Sequence, residues 1–476
     1  MSTPGDTLRA PIAGLVLRNF LTLGAGELLS RLIGFGATVY IARALGVDAY
    51  GIIGFGLALV LYGTTLVDAG LEHTGPREVA EAGEHLSDLA STLLLLRLVW
   101  ATVVAGLTVL AATLFFSGIE RTVLALYGLA LLPVGAYTRW LHLGLQRATL
   151  VSAARTAAEL LRVLAVVVLV RGPEDIVVVP LAEITANVLT AIMLLAGARA
   201  CGVRLRLHVD ANLARAVFRR AAPMAVSALL AVMIYNADLV FLRIFRDTAE
   251  VGLYLAGYAL INFLGILGHV VALTLVPAFT RLGHSATERD TLFSDSIARV
   301  FAAGAPIAVG GALTAPLLIG FVYGSEYTAS GGVLAILIWT IPFVLIRSVL
   351  QAGLIARRRQ DLVLRTTIAA AASNVGLNLI AVPMFGLYGA AFTTVIAEAV
   401  RMLAAWWYAR REEFPMTPPI RFTRSLAAAV VMGAALLLLS PDAIWTALPL
   451  GAAAYTVGLV LTGGIRIRRS GIAVSV

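Results

Sequence analysis

The sequence predicts an all-α polytopic membrane protein with about 14 transmembrane helices, and three observations support this fold class. Of the 476 residues, 60% are hydrophobic and 13% are charged, and the mean hydropathy is +0.92. Apolar stretches of about twenty residues recur from Leu21 to Ile465, without a polar interval large enough for a soluble domain. Arginines concentrate in alternate connections between these stretches. The composition therefore excludes an ordinary soluble enzyme.

Apolar runs, bounded by turn and charge signals, define the individual spans. The predicted spans are 18–42, 50–71, 87–116, 121–141, 148–170, 176–199, 222–245, 251–280, 294–322, 328–356, 362–384, 387–409, 425–440 and 443–465. They divide the chain into an N-terminal lobe (1–200), an inter-lobe connection (201–221), a C-terminal lobe (222–410), and a final helix pair with a tail (411–476). We expect residues 1–20 to be a short tail rather than a cleaved signal, because the first apolar stretch is long and many more follow it.

The arginine distribution predicts the orientation of these spans. Twenty-six arginines lie in the two tails and the even-numbered connections, against five near the opposite face. Cytoplasmic loops of membrane proteins carry such an excess of positive charge. We therefore expect a multi-pass protein of the cytoplasmic membrane with both termini in the cytoplasm. The net charge of +9 then reflects topology, and we expect no nucleic acid partner.

Several kinds of chemistry are excluded by what the sequence lacks. All 36 residues counted as lysine plus arginine are arginine, which rules out the lysine of a Walker A loop and any Schiff-base lysine. Cys201 is the only cysteine, so no disulfide forms within the chain. The six histidines show no zinc-binding spacing. We therefore expect no built-in ATPase, no metal site and no cofactor.

The two halves of the chain resemble each other. Several small residues match at an offset of 201 positions: Gly51, Gly56 and Ala58 with Gly252, Gly257 and Ala259, and Pro76 with Pro277. The segment 133–146 also resembles 342–351 with small gaps. Spans one to six therefore correspond to spans seven to twelve. Because six is even, the lobes should be related by a pseudo-two-fold axis along the membrane normal, with a cleft between them. Chance similarity between glycine- and alanine-rich helices is the alternative.

One face of the first span is small and charged. Gly24, Glu27, Arg31, Gly34 and Thr38 follow helical spacing and therefore share this face, while leucine and isoleucine occupy the others. An ionisable side chain within the membrane needs a partner or a water-filled cavity. We therefore expect this face to line an aqueous cleft. The alternative is that Glu27 and Arg31, four residues apart, only satisfy each other.

Two further arginines are predicted to lie deep in the membrane. Arg97 and Arg347 each lie about ten residues from a cytoplasmic helix end, or about 15 Å deep. A matched pair of guanidinium groups facing a cleft suits an anion, because each stays charged and offers a fork of donors to phosphate oxygens. We therefore predict that Arg31, Arg97 and Arg347 bind substrate, with Glu27 and with Asp68 as a partner of one arginine.

Other ionisable side chains within the spans are additional candidates. They are Glu159 with Arg162, Glu183, and Glu398 with Arg401. Hydrogen bonding between helices is an equally good explanation for each of these acids.

A second polar cluster is predicted nearer the outer surface. Asp238, Asn378 and Thr394 each lie about 10 Å below the outer helix ends, and Asn374 is one turn deeper on the face of Asn378. Carboxylate, amide and hydroxyl oxygens are hard ligands that suit a small cation or a proton. We therefore predict a coupling site for Na⁺ or H⁺, with interhelical hydrogen bonding as the alternative.

Three segments of the sequence resemble a known family. They are "LLSRLIGFGATVYIARALGVDAYG" with "LVDAGLEHTGPREVA", "NADLVFLRIF" leading to "VGLYLAGYAL", and "SNVGLNLIAVPMFGLYGAAFTTVIAE". They are similar to the polysaccharide-transporter, or Wzx-type oligosaccharide flippase, family of the multidrug/oligosaccharidyl-lipid/polysaccharide exporter superfamily. The resemblance covers most of residues 18–410. It implies transport of a polyprenyl-pyrophosphate-linked oligosaccharide across the bilayer by alternating access, for O-antigen, capsule or exopolysaccharide assembly.

The resemblance also bears on the second cluster. Related lipid II flippases have a cation site made of an Asp on helix seven, an Asn and an Asp four residues apart on helix eleven, and a Thr on helix twelve. Asp238, Asn374, Asn378 and Thr394 take these places here. Asn378 stands where the family has a carboxylate, which removes one charge and puts sodium binding in question.

Other functions of the same or another class are alternatives. A lipid II flippase or a multidrug/cation antiporter would belong to the same superfamily, although cationic drugs favour acidic or aromatic sites over buried arginines. A polytopic glycosyltransferase or O-antigen ligase would need a substantial outer loop, and the outer connections here are short. The expected ligand is the lipid-linked oligosaccharide in the bilayer, with a polysaccharide polymerase as a further candidate partner.

The predicted orientation can be tested with the single thiol. We expect a membrane-impermeant maleimide to label Cys201 in permeabilised cells but not in intact cells, because the inter-lobe connection should be cytoplasmic. Cys201→Ser supplies the background signal. Efficient labelling of intact cells would reverse the orientation.

Overall fold

The computed structural model describes residues 32–206, 209–282, 285–415, 418, 420–463, 465–468 and 471–474. The helices in these ranges are α1 (Leu32–Leu45), α2 (Val47–Asp68), α3 (Leu71–Glu81), α4 (Leu86–Phe115), α5 (Gly118–Leu129), α6 (Leu131–Gly135), α7 (Arg139–Gly144), α8 (Ala148–Leu169), α9 (Val178–Ala200), α10 (Ala211–Phe245), α11 (Thr248–Leu264), α12 (Ile266–Arg281), α13 (Ala286–Tyr323), α14 (Ser330–Leu337), α15 (Thr340–Ala356), α16 (Gln360–Arg411), α17 (Ile420–Leu439) and α18 (Ile444–Leu461). Short 3₁₀ turns lie at Gly83–His85, Pro173–Val177 and Ser325–Tyr327. Strands β1 (Ile465–Arg468) and β2 (Gly471–Val474) pair antiparallel after the last helix.

The helices confirm the predicted fold class. Within the described residues, 11 segments are long and apolar enough to cross a membrane. One of them is α16, whose 52 residues contain two helices that join at Gly386 and supply spans eleven and twelve. The remaining two of the fourteen predicted spans are α1 and α8. Helix α8 carries the charged residues Arg155, Glu159 and Arg162. Part of the first predicted span, 18–31, lies outside the described residues.

The last predicted span was too long at its end. The expected span 443–465 is a helix only as far as Leu461, and β1 begins at Ile465. Arginines follow in the sequence from Arg466, as is typical where a chain leaves the membrane. Hydropathy alone does not separate an apolar strand residue from the end of a helix.

The same spans are interrupted in both lobes, which supports the predicted repeat. Span two divides into α2 and α3 around Ala69 and Gly70, and its counterpart, span eight, divides into α11 and α12 at Gly265. Spans four and ten are likewise built from shorter helices. Spans three and nine are each continuous, as α4 and α13. The interruptions place polar backbone and side chains inside each lobe.

Gly386 permits the sharp reversal within α16. Its φ of 56° and ψ of −136° leave the helical region, and side chains are disfavoured at such a φ. A Cβ atom there would also collide with the carboxylate of Glu250. That carboxylate accepts the backbone N–H of Leu387 at 2.8 Å. The reversal is therefore tied to the start of α11.

The two lobes share one hydrophobic core at the predicted outer end and have separate cores at the other. The shared core combines Tyr50 and Tyr127 of the N-terminal lobe with Tyr254 and Tyr327 of the C-terminal lobe. At the predicted cytoplasmic end, one core surrounds Trp140 and belongs to the N-terminal lobe and the start of α10. The other surrounds Phe279 and Phe293 of the C-terminal lobe. The lobes are therefore joined at the predicted outer end and packed separately below it.

Helices α2 and α11 meet backbone to backbone at this junction. A Cβ atom on Gly51 would collide with the carbonyl oxygen of Thr248, and a Cβ atom on Gly252 would collide with that of Val47. Both pairs, 47 with 248 and 51 with 252, differ by the repeat offset of 201. The contact is therefore self-complementary, as expected at a pseudo-two-fold axis.

The last two helices pack on the outside of the C-terminal lobe. Helices α17 and α18 share a core with Ala305 of α13. The Tyr455 hydroxyl donates to the Ala302 carbonyl at 2.6 Å, and Arg421 pairs with Asp295 at 2.6 Å. The pair thus extends one lobe without entering the cleft.

The close contact between α2 and α11 predicts that alanine at either glycine lowers the stability of the protein. Gly51→Ala should destabilise the protein by about 1 to 3 kcal/mol, because the methyl group has no space beside Thr248. Gly252→Ala should have a similar effect, because its contact with Val47 is equivalent. Thermal unfolding of the purified protein in detergent measures both.

Gly106→Ala is the control for this experiment. Nothing lies within 4 Å of a Cβ atom at Gly106 in the middle of α4, and alanine favours the helix by up to about 1 kcal/mol. Its melting temperature should be unchanged or higher. Equal melting temperatures for all three variants would show that the α2–α11 contact accommodates a methyl group without a loss of stability.

Candidate functional site

Three neighbouring cavities lie within and between the lobes. The central cavity, of about 400 Å³, lies between α1, α2, α10 and α11. The N-lobe cavity has about 480 Å³, and the C-lobe cavity about 370 Å³. Arg162 lines both the central and the N-lobe cavity. Tyr258 and Asn262 line both the central and the C-lobe cavity. The walls that the central cavity shares with the cavity of each lobe therefore carry polar side chains.

The described part of the first-span face lies on the wall of the central cavity. Gly34 and Thr38 line it, and Thr38 donates to the Gly34 carbonyl at 3.0 Å. The charged members of this face, Glu27 and Arg31, lie outside the described residues, as does Gly24. Their predicted roles therefore stay predictions.

Arg97 and Asp68 form an ion pair in the N-lobe cavity. The side chain of Arg97 is only 1% exposed, and its Nη1 lies 3.3 Å from the Asp68 carboxylate. Its Nη2 donates to the Val134 carbonyl at 3.4 Å. Asp68 ends α2, and its carboxylate also accepts the backbone N–H of Glu72, in the first turn of α3, at 3.1 Å. The break in span two thus positions the acid that compensates the buried guanidinium.

The N-lobe cavity contains three further arginines. Arg139 pairs with Glu72 at 2.9 Å. Arg162 holds both oxygens of Glu159 at 2.5 and 3.1 Å, and Glu183 at 3.8 Å. The fourth, Arg155, is exposed and makes no ion pair with any side chain that the structure describes.

Charge in this cavity is balanced but concentrated. Four arginines face four carboxylates, those of Asp68, Glu72, Glu159 and Glu183. Within the described part of the cavity, the Nε atoms of Arg97 and Arg139 are buried without a protein partner. These free donors can serve water or an anion.

Arg347 lies in a different cavity from Arg97. It lines the C-lobe cavity, where its Nε donates to Glu398 at 3.1 Å and its Nη1 to Gln351 at 3.0 Å. Glu398 also pairs with Arg401 at 3.6 Å. Arg97 and Arg347, which were expected to face one cleft, therefore line separate cavities in this conformation. Equal depth placed them at one level, but in separate lobes.

The N-lobe counterpart of Arg347 is Arg139, which the sequence analysis did not select. The repeat aligns segment 133–146 with 342–351, which brings Arg139 opposite Arg347 when small gaps are allowed. Each of these arginines pairs with an acid from another span, Glu72 or Glu398. The repeat itself was the signal that could have identified Arg139.

The structure brings together all four residues of the predicted coupling cluster. Asp238 of α10 is 3% exposed. Its Oδ1 accepts the Asn378 amide at 2.5 Å, and its Oδ2 accepts the Thr394 hydroxyl at 2.6 Å. The Asn378 amide also donates to the Asn374 oxygen at 3.0 Å. Helix α16, folded back at Gly386, supplies the amides from one arm and the threonine from the other.

Two further residues, Tyr254 and Thr393, complete this cluster, and they were not predicted from the sequence. The Tyr254 hydroxyl donates to Asp238 at 2.8 Å, and Thr393 donates to the Asn378 oxygen at 2.7 Å. Tyr254 stacks on Tyr258 with ring centroids 5.6 Å apart, and Tyr258 faces the central cavity. Tyr254 follows Gly252 in the repeat motif, but its sequence context reads as an ordinary core position.

The geometry of the cluster allows a proton or a small cation. One carboxylate is surrounded by neutral donors, so its charge is compensated without an arginine. A rotated Asn378 amide would present oxygen beside Asp238, as a cation requires. Among the described residues, no group of three or more His, Cys, Asp or Glu side chains is placed to hold a metal ion.

The chain resembles known proteins in sequence. Residues 16–283 match the family described as "Polysaccharide biosynthesis protein". A relative from Haloferax volcanii, the "Probable low-salt glycan biosynthesis flippase Agl15", is 25% identical over 189 residues, which are 39% of this chain. The aligned part spans 40% of the length of that relative.

Solved structures of transporters share the fold. The structure titled "Lipid II flippase MurJ, inward closed conformation" superposes with a TM-score of 0.76 and 13% identity, covering 93% of this chain and 98% of that one. An inward-facing multidrug resistance MATE family transporter of the MOP superfamily superposes with a TM-score of 0.62 and 15% identity, over 80% and 94% of the chains. At such identities the likeness concerns the fold alone.

These findings agree with the sequence motifs from both lobes and with the two-lobed arrangement around linked polar cavities. The family match extends from the first span through the eighth and covers more than half of the chain. The protein is a multi-pass membrane protein, and it belongs to the polysaccharide biosynthesis protein family.

Proposed function

We propose that this protein is a flippase that moves a polyprenyl-pyrophosphate-linked oligosaccharide from the cytoplasmic to the outer leaflet by alternating access. The glycan would serve cell-surface polysaccharide assembly, and the protein would perform no covalent chemistry. The family match and the glycan flippase relative support this proposal. We also propose that both termini are cytoplasmic, so that the joined end of the lobes faces outward.

The observation that carries the proposal is the arginine-rich N-lobe cavity. Four arginines line about 480 Å³ inside a membrane domain, which is an expensive arrangement without a functional reason. Guanidinium groups stay charged and bind phosphate oxygens through paired N–H donors. Neighbouring carboxylates pair with three of these arginines, Arg97, Arg139 and Arg162, while no substrate is bound. A pyrophosphate would compete with those carboxylates for the same donors.

The membrane potential could supply much of the driving force. Moving about two negative charges outward across 100 mV, inside negative, releases roughly 4 to 5 kcal/mol. The Asp238 cluster could add a Na⁺ or H⁺ gradient, because its single carboxylate is buried in the lobe opposite the arginine-rich cavity. Tyr258 and Asn262 connect this cluster with the central cavity.

A lipid II flippase is the second candidate, favoured by the grouping of Asp238, Asn374, Asn378 and Thr394 in one cluster. It would also bind a polyprenyl pyrophosphate, so the buried arginines suit both candidates. Transport assays with lipid II and with a lipid-linked oligosaccharide separate them. A multidrug exporter would transport neither.

Loss of a cavity arginine should impair transport. Arg155→Gln should lower glycan export roughly 10- to 100-fold, because a hydrogen bond to a charged group is worth about 1.5 to 3 kcal/mol. Arg155 has no described ion-pair partner, so its loss leaves no buried acid uncompensated. We expect the same direction for Arg31→Gln, Arg97→Gln and Arg347→Gln. Export is measured in cells with matched protein levels.

Arg77→Gln is the control, because Arg77 lies on the surface and pairs with Glu81 outside every cavity described above. Its export should stay at the wild-type level. Arg97→Gln combined with Asp68→Asn separates substrate binding from the cost of an unpaired acid. Wild-type export by folded Arg155→Gln and by this double variant would place the head group elsewhere.

The coupling cluster makes a separate prediction. Asp238→Asn should abolish any dependence of transport on a Na⁺ or H⁺ gradient, because the only carboxylate in the cluster is removed while its shape is kept. Tyr254→Phe should weaken that dependence, since one donor to the carboxylate is lost. Transport into reconstituted vesicles with imposed gradients measures both effects.

Asp361→Asn is the matched control, because Asp361 is an exposed acid at the start of α16 and pairs with Arg359. It should retain the wild-type gradient dependence. If Asp238→Asn retained it as well, the cluster would be interhelical packing only.

A further inference from the structure

The last turns of α16 carry two tryptophans and two arginines on the surface of the protein. We call residues 387–411 the second arm of α16, and its final turns contain Trp406, Trp407, Arg410 and Arg411. The two tryptophans are 37% and 42% exposed, and both arginines are exposed. This helix end therefore presents large aromatic rings and positive charge together.

Trp407 and Arg411 lie on the lipid-facing side of this helix. Phe392, Ile396 and Leu403 are exposed along the second arm. With Trp407 and Arg411 they follow one another at intervals of four, seven, four and four residues, which places all five on one helix face. An exposed apolar face on a membrane-spanning helix lies against lipid. The tryptophan and the arginine therefore continue a surface that the bilayer covers.

The position of these residues along the helix matches the boundary of the bilayer. At 1.5 Å per residue, Trp407 lies about 30 Å from Leu387, where the second arm begins, and Arg411 lies about 36 Å from it. The hydrocarbon core of a bilayer is about 30 Å thick. Tryptophan is enriched at the edge of this core, at the level of the lipid head groups. Trp407 and Arg411 therefore lie beside the upper acyl chain and the phosphate of a neighbouring lipid.

The indole rings orient the arginines. The guanidinium carbon of Arg411 lies 3.6 Å from the centroid of the Trp407 ring, and that of Arg410 lies 5.9 Å from the centroid of the Trp406 ring. A guanidinium group that stacks on an aromatic face keeps its N–H donors at its edge, where they can bind phosphate oxygens. The rings thus hold the two charges in place without neutralising them.

Among the described residues, no acid pairs with the two arginines at this helix end. The next two residues of the chain are acids, but their charges act elsewhere. Glu412 pairs with Arg359. Burial lowers the pKa of Arg357, and the charges of Glu412 and Glu413 act on that group in the opposite direction. The described part of the chain therefore leaves the positive charge at the end of α16 uncompensated.

We propose that Trp406, Trp407, Arg410 and Arg411 bind an anionic phospholipid of the leaflet that surrounds this helix end. The phosphate contacts the two guanidinium groups, and the glycerol and upper acyl chain lie against the indoles. A zwitterionic lipid would also bring a cationic group, which the arginines repel. A soluble phosphate would gain nothing from the indoles. This site is separate from the three polar cavities and does not depend on the proposed function.

Native mass spectrometry of the full-length protein, titrated with phosphatidylglycerol or with phosphatidylcholine of the same acyl chains, tests the proposal. We expect the wild type to bind phosphatidylglycerol more tightly. Arg410→Gln combined with Arg411→Gln should weaken the tightest phosphatidylglycerol binding roughly 10- to 30-fold, because two arginines near an anionic head group are lost. Binding of phosphatidylcholine should stay unchanged.

Arg204→Gln combined with Arg206→Gln is the matched control. These two arginines are exposed in the inter-lobe connection, so the variant loses the same charge at a place away from α16. This segment is held by its backbone N–H groups, which donate to Ser87 and Ser91, and the substitutions leave those hydrogen bonds in place. Its phosphatidylglycerol binding should equal that of the wild type.

Trp407→Leu tests the aromatic part of the site independently of the arginines. It keeps the position apolar but removes the ring under Arg411, so phosphatidylglycerol binding should weaken. Thermal unfolding verifies that each variant is folded.

Three results would overturn the proposal. They are equal affinity of the wild type for the two lipids, an equal loss of binding in the control variant, and unchanged binding by folded Trp407→Leu. Full competition by glycerol 3-phosphate, which has the phosphate but no acyl chains, would identify a soluble anion as the ligand and would overturn it as well.

Discussion

The close approach of α2 and α11 at Gly51 and Gly252 is the constraint on which the rest of the structure depends. Because neither position has a side chain, the two backbones touch and the lobes share a single core at that end. Below this contact the lobes pack separately, which leaves room for the polar cavities and for the rows of charged residues in them. The pseudo-two-fold axis that the repeat implies passes through a contact in which each helix makes the same interaction with the other.

The fold was largely predictable because a transmembrane span is a property of a local segment. About twenty apolar residues must form a helix that satisfies its own backbone, whatever surrounds it. The repeat offset of 201 even identified the two glycines that meet at the junction. The interruptions inside spans two, four, eight and ten were not predicted. They depend on the contacts of particular turns, such as the hydrogen bond from the Glu72 N–H to Asp68 at the start of α3, and hydropathy does not reveal them.

The sites were predictable only in part. Counting residues from a helix end gives the depth of a side chain in the membrane, but not the direction in which it points. Depth was sufficient for Asp238, Asn378 and Thr394, since α10 and the two arms of α16 are neighbours. It did not show that Arg97 and Arg347 line separate cavities, one in each lobe. Tyr254 was missed for another reason: a tyrosine within an apolar run resembles a core residue, and only its hydroxyl partner reveals a polar role.

The Thr394 hydroxyl in the Asp238 cluster can act as a hydrogen-bond donor or as an acceptor towards the carboxylate. The Thr394 hydroxyl lies 2.6 Å from the carboxylate of Asp238 and 3.0 Å from the carbonyl of Ala390, so its one hydrogen has two acceptors within reach. When the carboxylate is ionised, the hydroxyl donates to it. When the carboxylate carries a proton, the same oxygen can accept that proton's hydrogen bond and donate to Ala390 instead. A proton can therefore arrive or leave with a rotation about one C–O bond, whereas a metal ion must first turn the Asn378 amide out of its place.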